Sequence, residues 1–381
     1  MKLIYLANIR LPTEKAHGYQ IMQTCAEISA QGVDVELVVP NRRNLTLGGK
    51  DPFEYYGIKQ RFSIRKLPCL DTVSGAWGRL TSPLGFWVQT LTFSWFVRRY
   101  VRRTACDWVY SRDELLVSLL GKISHRLALE LHALPKPKYR SILDRSEQIV
   151  VITSAIRDGL VGQGFPPGKI VVAPDAVMFD QFSRLPSPSE CRQRIGLPFE
   201  KKIALYSGHL FDWKGVYVLA EAARLLPPPW QVVFVGGVPE HVERFRKYAA
   251  ARRLSNVTVI PHQQRELVPY FLGAADVLVV PNSARTDRSR LYTSPLKLFE
   301  YLASSRPVVA SCLPSIREVV SEREVVFVKP DDPTDLARGI RIAGENDQSA
   351  RTRAAQQIAQ YHSWANRAKV IAQALATLPK S

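Results

Sequence analysis

Cysteine is scarce in this chain of 381 residues, which has five, at Cys25, Cys69, Cys106, Cys191 and Cys312. Their number is odd, they lie far apart in the sequence, and no two of them form a C-x-x-C pair. The pattern therefore predicts neither a disulfide framework nor a zinc knuckle. Because reduced, dispersed cysteines are typical of a reducing cytosol, we expect a cytoplasmic protein.

A long hydrophobic run is also missing. The most apolar stretch, 84–97, is rich in tryptophan and phenylalanine, but it is interrupted by Gln89, Thr90, Thr92 and Ser94 and is shorter than a bilayer span. Residues 1–7 are apolar but too few for a signal-peptide core, and they resemble a first β-strand. No transmembrane helix is expected.

Acidic residues are in deficit, since 52 Lys and Arg face 34 Asp and Glu and give a net charge of +18. The partner is expected to be anionic: a nucleoside diphosphate, an anionic membrane surface or nucleic acid. Arg98, Arg99, Arg102 and Arg103 directly follow the aromatic stretch. This pattern suits peripheral binding to the inner face of the plasma membrane, and its alternative is a buried helix that ends in a solvated basic turn.

Short β-branched runs alternate with longer helical patterns along the whole chain, which predicts an α/β fold with parallel sheets. The first half has predicted strands at 3–6, 35–39, 108–110, 148–152 and 169–173. After a Pro- and Ser-rich link at 185–190, further strands are predicted at 203–206, 231–235, 257–260, 277–280, 307–310 and 325–328.

Two Rossmann-like domains are thus expected, facing each other across a cleft at the carboxyl ends of their strands. The predicted limits are 1–184 for the first domain and 185–361 for the second. A last helical pattern from about 350 to 378, with a bend at Trp364, returns residues 362–381 to the first domain.

Two segments of the second half have the features of anion sites. Gly208, His209 and Lys214 follow a predicted strand at a helix entrance, where a glycine lets backbone N–H groups approach an anion. The alternative is an ordinary strand-to-helix turn with a solvated lysine.

The second segment runs from Tyr292 to Ala303. Ser294 is a good N-cap and Pro295 a good first helical residue, which places Lys297 in the first turn, where its ammonium can reach an anion. Glu300 follows among apolar neighbours, and its alternative is a surface glutamate. No D-x-D pair stands in a plausible metal-binding loop, so no metal is expected, and 331–335 is predicted to cap a helix.

These segments resemble the retaining family 4 glycosyltransferases, also called glycosyl transferases group 1. Segment 208–215 is similar to their donor-phosphate loop, and 294–303 to the form of their donor helix that reads S-P-x-K-x-F-E-Y. Segments 231–237 and 277–282 match as well, as do 11–18 and Glu130-Leu131-His132 in the first half. The resemblance implies the GT-B fold, with an acceptor domain followed by a nucleotide-sugar donor domain.

The resemblance also implies roles for individual residues. Lys214 would contact the donor diphosphate, Glu300 the ribose, the main chain at Pro261 and His262 the base, and His132 the donor sugar. The donor site would comprise Gly208, His209, Lys214, Gly236, Pro261, His262, Ser294, Lys297 and Glu300. His132 and Lys214 would be catalytic, with His17 and Gly18 on the acceptor side.

The implied reaction moves a sugar from a UDP- or GDP-sugar to a glycan or lipid-linked acceptor, with retention of anomeric configuration and without a cofactor or bound metal. The product would be a cell-surface polysaccharide or glycolipid. The alternatives are a GT-B nucleotide-sugar epimerase and a non-enzymatic basic protein that binds nucleic acid or membranes. The second of these lacks the aromatic basic face of single-strand binders.

The sequence departs from the family pattern in three places. His209 stands where an arginine is usual, which weakens the phosphate clamp. Tyr292 replaces a first glutamate, which removes a carboxylate expected to hold donor-sugar hydroxyls. Segment 175–178, Asp-Ala-Val-Met, replaces an N-G-V-D turn and is expected to affect the hinge between domains.

Overall fold

The computed structural model describes residues 1–42, 44, 47, 49–72 and 82–377, which form two compact units. The first unit contains Met1–Pro174 and Trp364–Ser381, and the second contains Asp175–Ser363. In both units the apolar, largely β-branched runs form buried parallel strands. Helices supply the long crossovers that parallel strands require.

The first unit is built on a seven-stranded parallel sheet. Its strands are β1 (Lys2–Leu6), β2 (Asp34–Pro40), β3 (Ser63–Leu67), β4 (Trp108–Ser111), β5 (Arg126–Leu131), β6 (Gln148–Val151) and β7 (Ile170–Val172). Its helices are α1 (Ala16–Ala30), α2 (Pro52–Tyr56), α3 (Ser82–Val101), α4 (Glu114–Leu120), α5 (Arg140–Arg145) and α6 (Ser154–Gly162). The strand order is β3-β2-β1-β4-β5-β6-β7, so the winding reverses between β1 and β4.

The second unit has a six-stranded parallel sheet of the same type. Its strands are β8 (Lys202–Ser207), β9 (Trp230–Val235), β10 (Val257–Ile260), β11 (Val277–Val280), β12 (Val308–Ser311) and β13 (Val326–Val328). Its helices are α7 (Phe179–Ser183), α8 (Pro188–Ile195), α9 (Val216–Ala223), α10 (Pro239–Ala251), α11 (Val268–Ala274), α12 (Asp287–Arg290), α13 (Leu296–Ala303), α14 (Pro314–Arg317), α15 (Pro333–Glu345) and α16 (Ser349–Tyr361). The order β10-β9-β8-β11-β12-β13 reverses between β8 and β11, the position at which open α/β sheets bind ligands.

The chain ends with α17 (Trp364–Ala376), which belongs to the first unit. The sequence predicts one helical pattern with a bend at Trp364, and the structure breaks it at His362 and Ser363. Trp364 is buried in the first unit, where its ring meets the edge of Tyr19 at a centroid distance of 6.1 Å.

Two local predictions are wrong. The link expected at 185–190 contains the start of α8, where Ser187 and Glu190 form an N-terminal capping box. The predicted strands do not include β3, and β5 is marked only by the segment Glu130-Leu131-His132 at its end. The cap expected at 331–335 is confirmed, because Asp332 accepts hydrogen bonds from the N–H groups of Thr334 and Asp335.

Membrane spans were expected to be absent. Among the described residues, every helix is too short or too polar to cross a bilayer.

Candidate functional site

The loop after β8 requires glycine at its first residue. Gly208 has φ +138°, in the region that side chains disfavour, and its N–H donates to the carbonyl of Val235 at 2.8 Å. A Cβ added at Gly236, after β9, would lie 2.8 Å from the carbonyl oxygen of Gly208. The backbones of two neighbouring loops thus meet at the carboxyl ends of β8 and β9, as the glycine pattern predicts.

Lys214 ends a short 3₁₀ helix, Asp212–Lys214, that leads into α9. Gly215 follows with φ +71°, and a Cβ there would lie 1.7 Å from the carbonyl oxygen of Pro281. This packing fixes the turn against the end of β11. Burial, together with the positive charge of Arg288, lowers the pKa of Lys214 to about 8. The lysine is therefore held in a site that disfavours its charge while no anion is present.

The helix that carries Lys297 begins one residue later than predicted. Pro295 is the N-cap of α13, so Lys297 is the second helical residue and still lies in the first turn. The prediction that Ser294 caps this helix is wrong. Its hydroxyl instead accepts a hydrogen bond from the N–H of Asp175 at 2.9 Å. Ser294 is buried and ties α13 to the segment that opens the second unit.

The ammonium of Lys297 is buried inside the second unit. The residue is 8% exposed, and Nζ has no hydrogen-bond partner among the described residues. It lies over the ring of Tyr206, 3.6 Å from the centroid, and 3.3 Å from the position of a Cβ at Gly208. Burial, with the charge of Lys214, holds the pKa of Lys297 well below its usual range. Lys297 is therefore not a solvated surface lysine.

His209 lies beside these two lysines but does not act as a cation. Burial, together with the charges of Lys214 and its neighbours, lowers the pKa of His209 to about 4, so the ring is neutral at pH 7. Its Nδ1 is buried without a hydrogen-bond partner in the part of the chain that the structure describes, and so is Oδ1 of Asn282, after β11. The residues after β8 and β11 thus leave polar atoms for a ligand at the point where the sheet reverses.

Glu300 is paired rather than solvated. Its Oε1 accepts a hydrogen bond from the guanidinium of Arg265 at 2.5 Å, and the carboxylate side chain is 8% exposed. Arg265 lies in the 3₁₀ helix Arg265–Leu267, a few residues after Pro261 and His262, which are exposed at the end of β10. The surface-glutamate alternative is wrong, and Glu300 lies near the segment expected to contact a base.

His132 is part of a buried polar network in the first unit. Its Nε2 lies 2.7 Å from Oε1 of Glu130, and that oxygen also lies 3.0 Å from the guanidinium of Arg367 on α17. Burial, with the charge of Arg112, lowers the pKa of His132 to about 4. Burial opposes ionisation of Glu130, but Arg367 and His132 hold its pKa well below the usual range. The network fixes the orientation of a neutral imidazole at the carboxyl end of β5.

His17 and Gly18 lie in the first turn of α1. A Cβ at Gly18 would lie 2.3 Å from the hydroxyl of Tyr56, so a side chain does not fit there. Burial, together with Arg112, lowers the pKa of His17 to about 4, and His132 contributes in the same direction. The structure therefore brings His17 and His132 to one region of the first unit, beside Arg112.

The sequence did not identify the partners that hold these residues. Arg265, Arg112 and Arg367 were not singled out, since each is one arginine in a basic chain and its partner lies far away in the sequence. The sequence pattern includes Glu130 in the segment Glu130-Leu131-His132 but gives it no role of its own. No group of three or more His, Cys, Asp or Glu residues suited to a metal occurs within 1–42, 44, 47, 49–72 and 82–377.

The amino-acid sequence is similar to those of known glycosyltransferases. Residues 189–361 match the family described as glycosyl transferases group 1. TuaC of Bacillus subtilis (strain 168), a glycosyltransferase named for teichuronic acid biosynthesis, is 28% identical over 152 residues, which cover 40% of this chain and 35% of TuaC. The D-inositol 3-phosphate glycosyltransferase of Mycolicibacterium smegmatis is 25% identical, over 91% of this chain and 82% of that protein. The chain spans between about a third and a half of the first curated relatives it matches.

Solved structures are similar over nearly the whole chain. The crystal structure of HepE from Anabaena, in complex with UDP and glucose, superposes with a TM-score of 0.74 at 17% identity and covers 99% of this chain and 100% of that one. Sucrose-phosphate synthase from Thermosynechococcus elongatus gives a TM-score of 0.77 at 18% identity, over 98% and 97%. At this identity the likeness concerns the fold. The chain therefore has the GT-B fold, and residues 189–361 of its second unit match the family of glycosyl transferases group 1.

Proposed function

We propose that this protein is a glycosyltransferase that moves a sugar from a UDP- or GDP-sugar to a glycan or lipid-linked acceptor, in the biosynthesis of a cell-surface polysaccharide or glycolipid. The observation that carries the proposal is the buried ammonium of Lys297, which has no hydrogen-bond partner among the described residues and lies beside Gly208 at the start of α13. A buried cation without a hydrogen-bond partner is unfavourable even above an aromatic ring, so a site that keeps one is suited to an anion.

A diphosphate fits this position better than a single carboxylate does. Lys297 and Lys214 are close enough for the charge of one to lower the pKa of the other, and the N-terminus of α13 adds a partial positive charge. Two phosphate groups would pair with both ammonium groups at once. The HepE structure contains UDP in the same fold, which agrees with a nucleotide at these loops.

The charges that bind the donor also suit the reaction. Breaking the anomeric C–O bond leaves positive charge on the sugar and negative charge on the diphosphate. Fixed cations at Lys214 and Lys297 therefore stabilise the transition state more than the ground state. We infer retention, in which the acceptor oxygen bonds to the anomeric carbon on the face that the diphosphate leaves, and the departing phosphate oxygen takes the acceptor's proton. Lysines and helix N–H groups would supply the charge stabilisation without a metal ion.

The remaining site residues are assigned by position. Glu300 would accept hydrogen bonds from the ribose hydroxyls, because a carboxylate that binds Arg265 through one oxygen keeps further acceptor capacity. Pro261 and His262 would contact the base through their main chain, and Gly236 would let the backbone approach the donor. His132, His17 and Gly18 in the first unit would serve the donor sugar and the acceptor.

The test combines binding and turnover. Lys214→Ala should lower turnover at saturating donor by about 10²-fold, the loss seen when a fixed charge-stabilising donor is removed. Glu300→Gln should weaken nucleotide binding, since a hydrogen bond to a charged group contributes about 1.5–3 kcal/mol. Lys201→Ala, at an exposed lysine, is the matched control for charge. Proton NMR of the first-formed product reports its anomeric configuration, and assays with a chelator test independence of metal.

Near-wild-type turnover of Lys214→Ala would refute the role of that residue. If Glu300→Gln melts earlier but binds nucleotide normally, the carboxylate is a structural partner of Arg265. Formation of an epimer from UDP-N-acetylglucosamine without acceptor would replace the transferase by an epimerase.

A further inference from the structure

Helix α3 presents an apolar stripe to solvent. Leu84, Trp87, Leu91 and Trp95 are spaced three or four residues apart and lie on one face of the helix. They are 69%, 44%, 49% and 59% exposed. Large side chains with such exposure are normally scattered on a protein surface, whereas these form a continuous row.

The opposite face of α3 is already used by the core of the first unit. Phe93, Val97 and Val101 are fully buried there, together with the polar side chains of Gln89 and Thr90. The helix therefore does not need the stripe for its own packing. Its two faces serve different purposes, one in the core and one at the surface.

The neighbouring loop extends the exposed surface. The N–H of Leu70 donates to the hydroxyl of Thr92 at 3.1 Å, which places this residue along α3, and Leu70 is 58% exposed. The hydroxyl of Thr72 donates to the carbonyl of Gly85 at 2.6 Å and fixes the same loop near the start of the helix. We call Leu70, Leu84, Trp87, Leu91 and Trp95 the apolar stripe.

Four arginines continue from the end of the stripe. Arg98 and Arg102 follow Trp95 at helical spacing, and Arg99 and Arg103 lie next to them. All four are exposed, and residues 82–106 contain no acidic side chain. A second copy of this surface would leave the arginines without counter-charges. An anionic bilayer offers acyl chains to the stripe and phosphate headgroups to the arginines.

We propose that α3 docks this protein on an anionic lipid bilayer, with the apolar stripe in the headgroup–acyl boundary and Arg98, Arg99, Arg102 and Arg103 on lipid phosphates. The helix lies in the plane of the interface, because its other face belongs to the protein core. Tryptophan suits this depth, since its ring is apolar and its indole N–H is polar. The docking is independent of the donor site, which lies in the second unit.

Sedimentation with vesicles tests the proposal on the full chain. We expect binding to vesicles that contain phosphatidylglycerol, weaker binding as salt is added, and little binding to phosphatidylcholine alone. Trp87→Ser with Trp95→Ser should lower the partition coefficient at least about 10-fold, because two large interfacial side chains are lost. Arg98→Gln with Arg102→Gln should lower the partition coefficient about 30-fold, because each arginine near an anionic surface contributes about fivefold.

Matched controls separate docking from general surface effects. Phe199→Ser with Leu225→Ser removes exposed apolar side chains of the second unit, and Arg323→Gln with Arg353→Gln removes exposed charges there. Both controls should sediment like the wild type, and all variants should keep the wild-type unfolding temperature. Equal binding to neutral vesicles, or equal losses in the controls, would overturn the proposal. So would a dimer in sedimentation equilibrium that the tryptophan variants dissociate, because a second copy would then cover the stripe.

Discussion

The ammonium of Lys297 lies in surroundings that disfavour its charge. Burial removes water from Nζ, Lys214 repels it, and the ring of Tyr206 at 3.6 Å compensates only in part. The fold keeps this residue although an apolar side chain would pack there at lower free energy. Residues that lower the stability of the folded protein in this way are characteristic of functional sites.

Lys297→Met should therefore stabilise the ligand-free protein and weaken nucleotide binding. We expect the unfolding temperature to rise by about 2–4 °C, the shift that about 1 kcal/mol gives in a domain of this size. The increase in unfolding temperature caused by UDP should shrink, because stabilisation by a ligand follows its affinity. Thermal unfolding with and without UDP measures both effects. Lys201→Met is the control, and an undiminished UDP shift in Lys297→Met would reject the assignment.

Single residues also show where sequence reasoning stops. Gly208, Lys214 and Lys297 could be proposed from the sequence because their local pattern, a strand followed by a glycine turn or a sharp helix start, predicts an anion site. Ser294 was assigned to the wrong partner, because the competing donor, Asp175, lies 119 residues away in the sequence. Arg265 was missed for the same reason. A local cap and a distant hydrogen bond use the same hydroxyl, and the sequence cannot rank them.

At the scale of elements, the turn between β8 and α9 depends on Gly215. This residue has φ +71°, and the position of a Cβ lies 1.7 Å from the carbonyl oxygen of Pro281. Any side chain must push the turn away from the end of β11. The turn carries Lys214, so its displacement also moves the lysine from the proposed donor site.

Gly215→Ala should be more harmful than the same change at a glycine with similar backbone angles. Gly196 at the end of α8 has φ +68°, and a Cβ there meets nothing within 4 Å. Gly196→Ala should cost about 1–2 kcal/mol from backbone strain. Gly215→Ala should lose this amount and more, and should also lose UDP binding. Denaturant unfolding and UDP titration of both variants measure the difference, and equal losses would contradict the packing argument.

The strands of the second unit show which elements a sequence predicts well. All six contain apolar runs between turns, and all except β10 are largely buried, because helices cover both faces of their sheet. The sequence does not predict β3, because Ser63–Leu67 contains Arg65 and Lys66 and lacks a continuous apolar run. This strand forms the edge of its sheet, where half-exposed residues are compatible with strand pairing. Edge strands need less apolar surface, so their sequences contain a weaker signal.

At the scale of the whole molecule, the net charge of +18 is divided among sites with different chemistry. Lys214 is half-buried and Lys297 is buried, and both are proposed to bind a ligand, whereas the four arginines at the end of α3 are exposed. Charge alone did not separate a nucleotide partner from a membrane partner. Burial divides the cations into two groups, and the two proposals that rest on these groups can be tested with different variants.

The pH dependence of nucleotide binding is the last prediction. Lys214 has a pKa of about 8 in the folded protein, below the usual value of about 10.4. Between pH 8 and about 10.4, Lys214 is protonated in the unfolded chain but largely deprotonated in the ligand-free folded protein. The unfolded chain then binds more protons, so the contribution of Lys214 to the stability of the ligand-free protein increases as pH rises. A bound diphosphate raises the pKa of Lys214 again, so binding takes up a proton at this residue, and its contribution to UDP affinity should fall up to about tenfold per pH unit above pH 8. Lys297, whose pKa is also low, takes up a proton in the same way and adds to this slope. His209, with a pKa of about 4, is neutral throughout this pH range and does not contribute to the pH dependence.

Isothermal titration calorimetry from pH 7 to about 9.5, in buffers of different ionisation enthalpy, measures affinity and proton uptake together. Lys214→Met should reduce the slope above pH 8, and Lys201→Met should retain it. An affinity independent of pH in the wild type would show that neither Lys214 nor Lys297 binds the diphosphate.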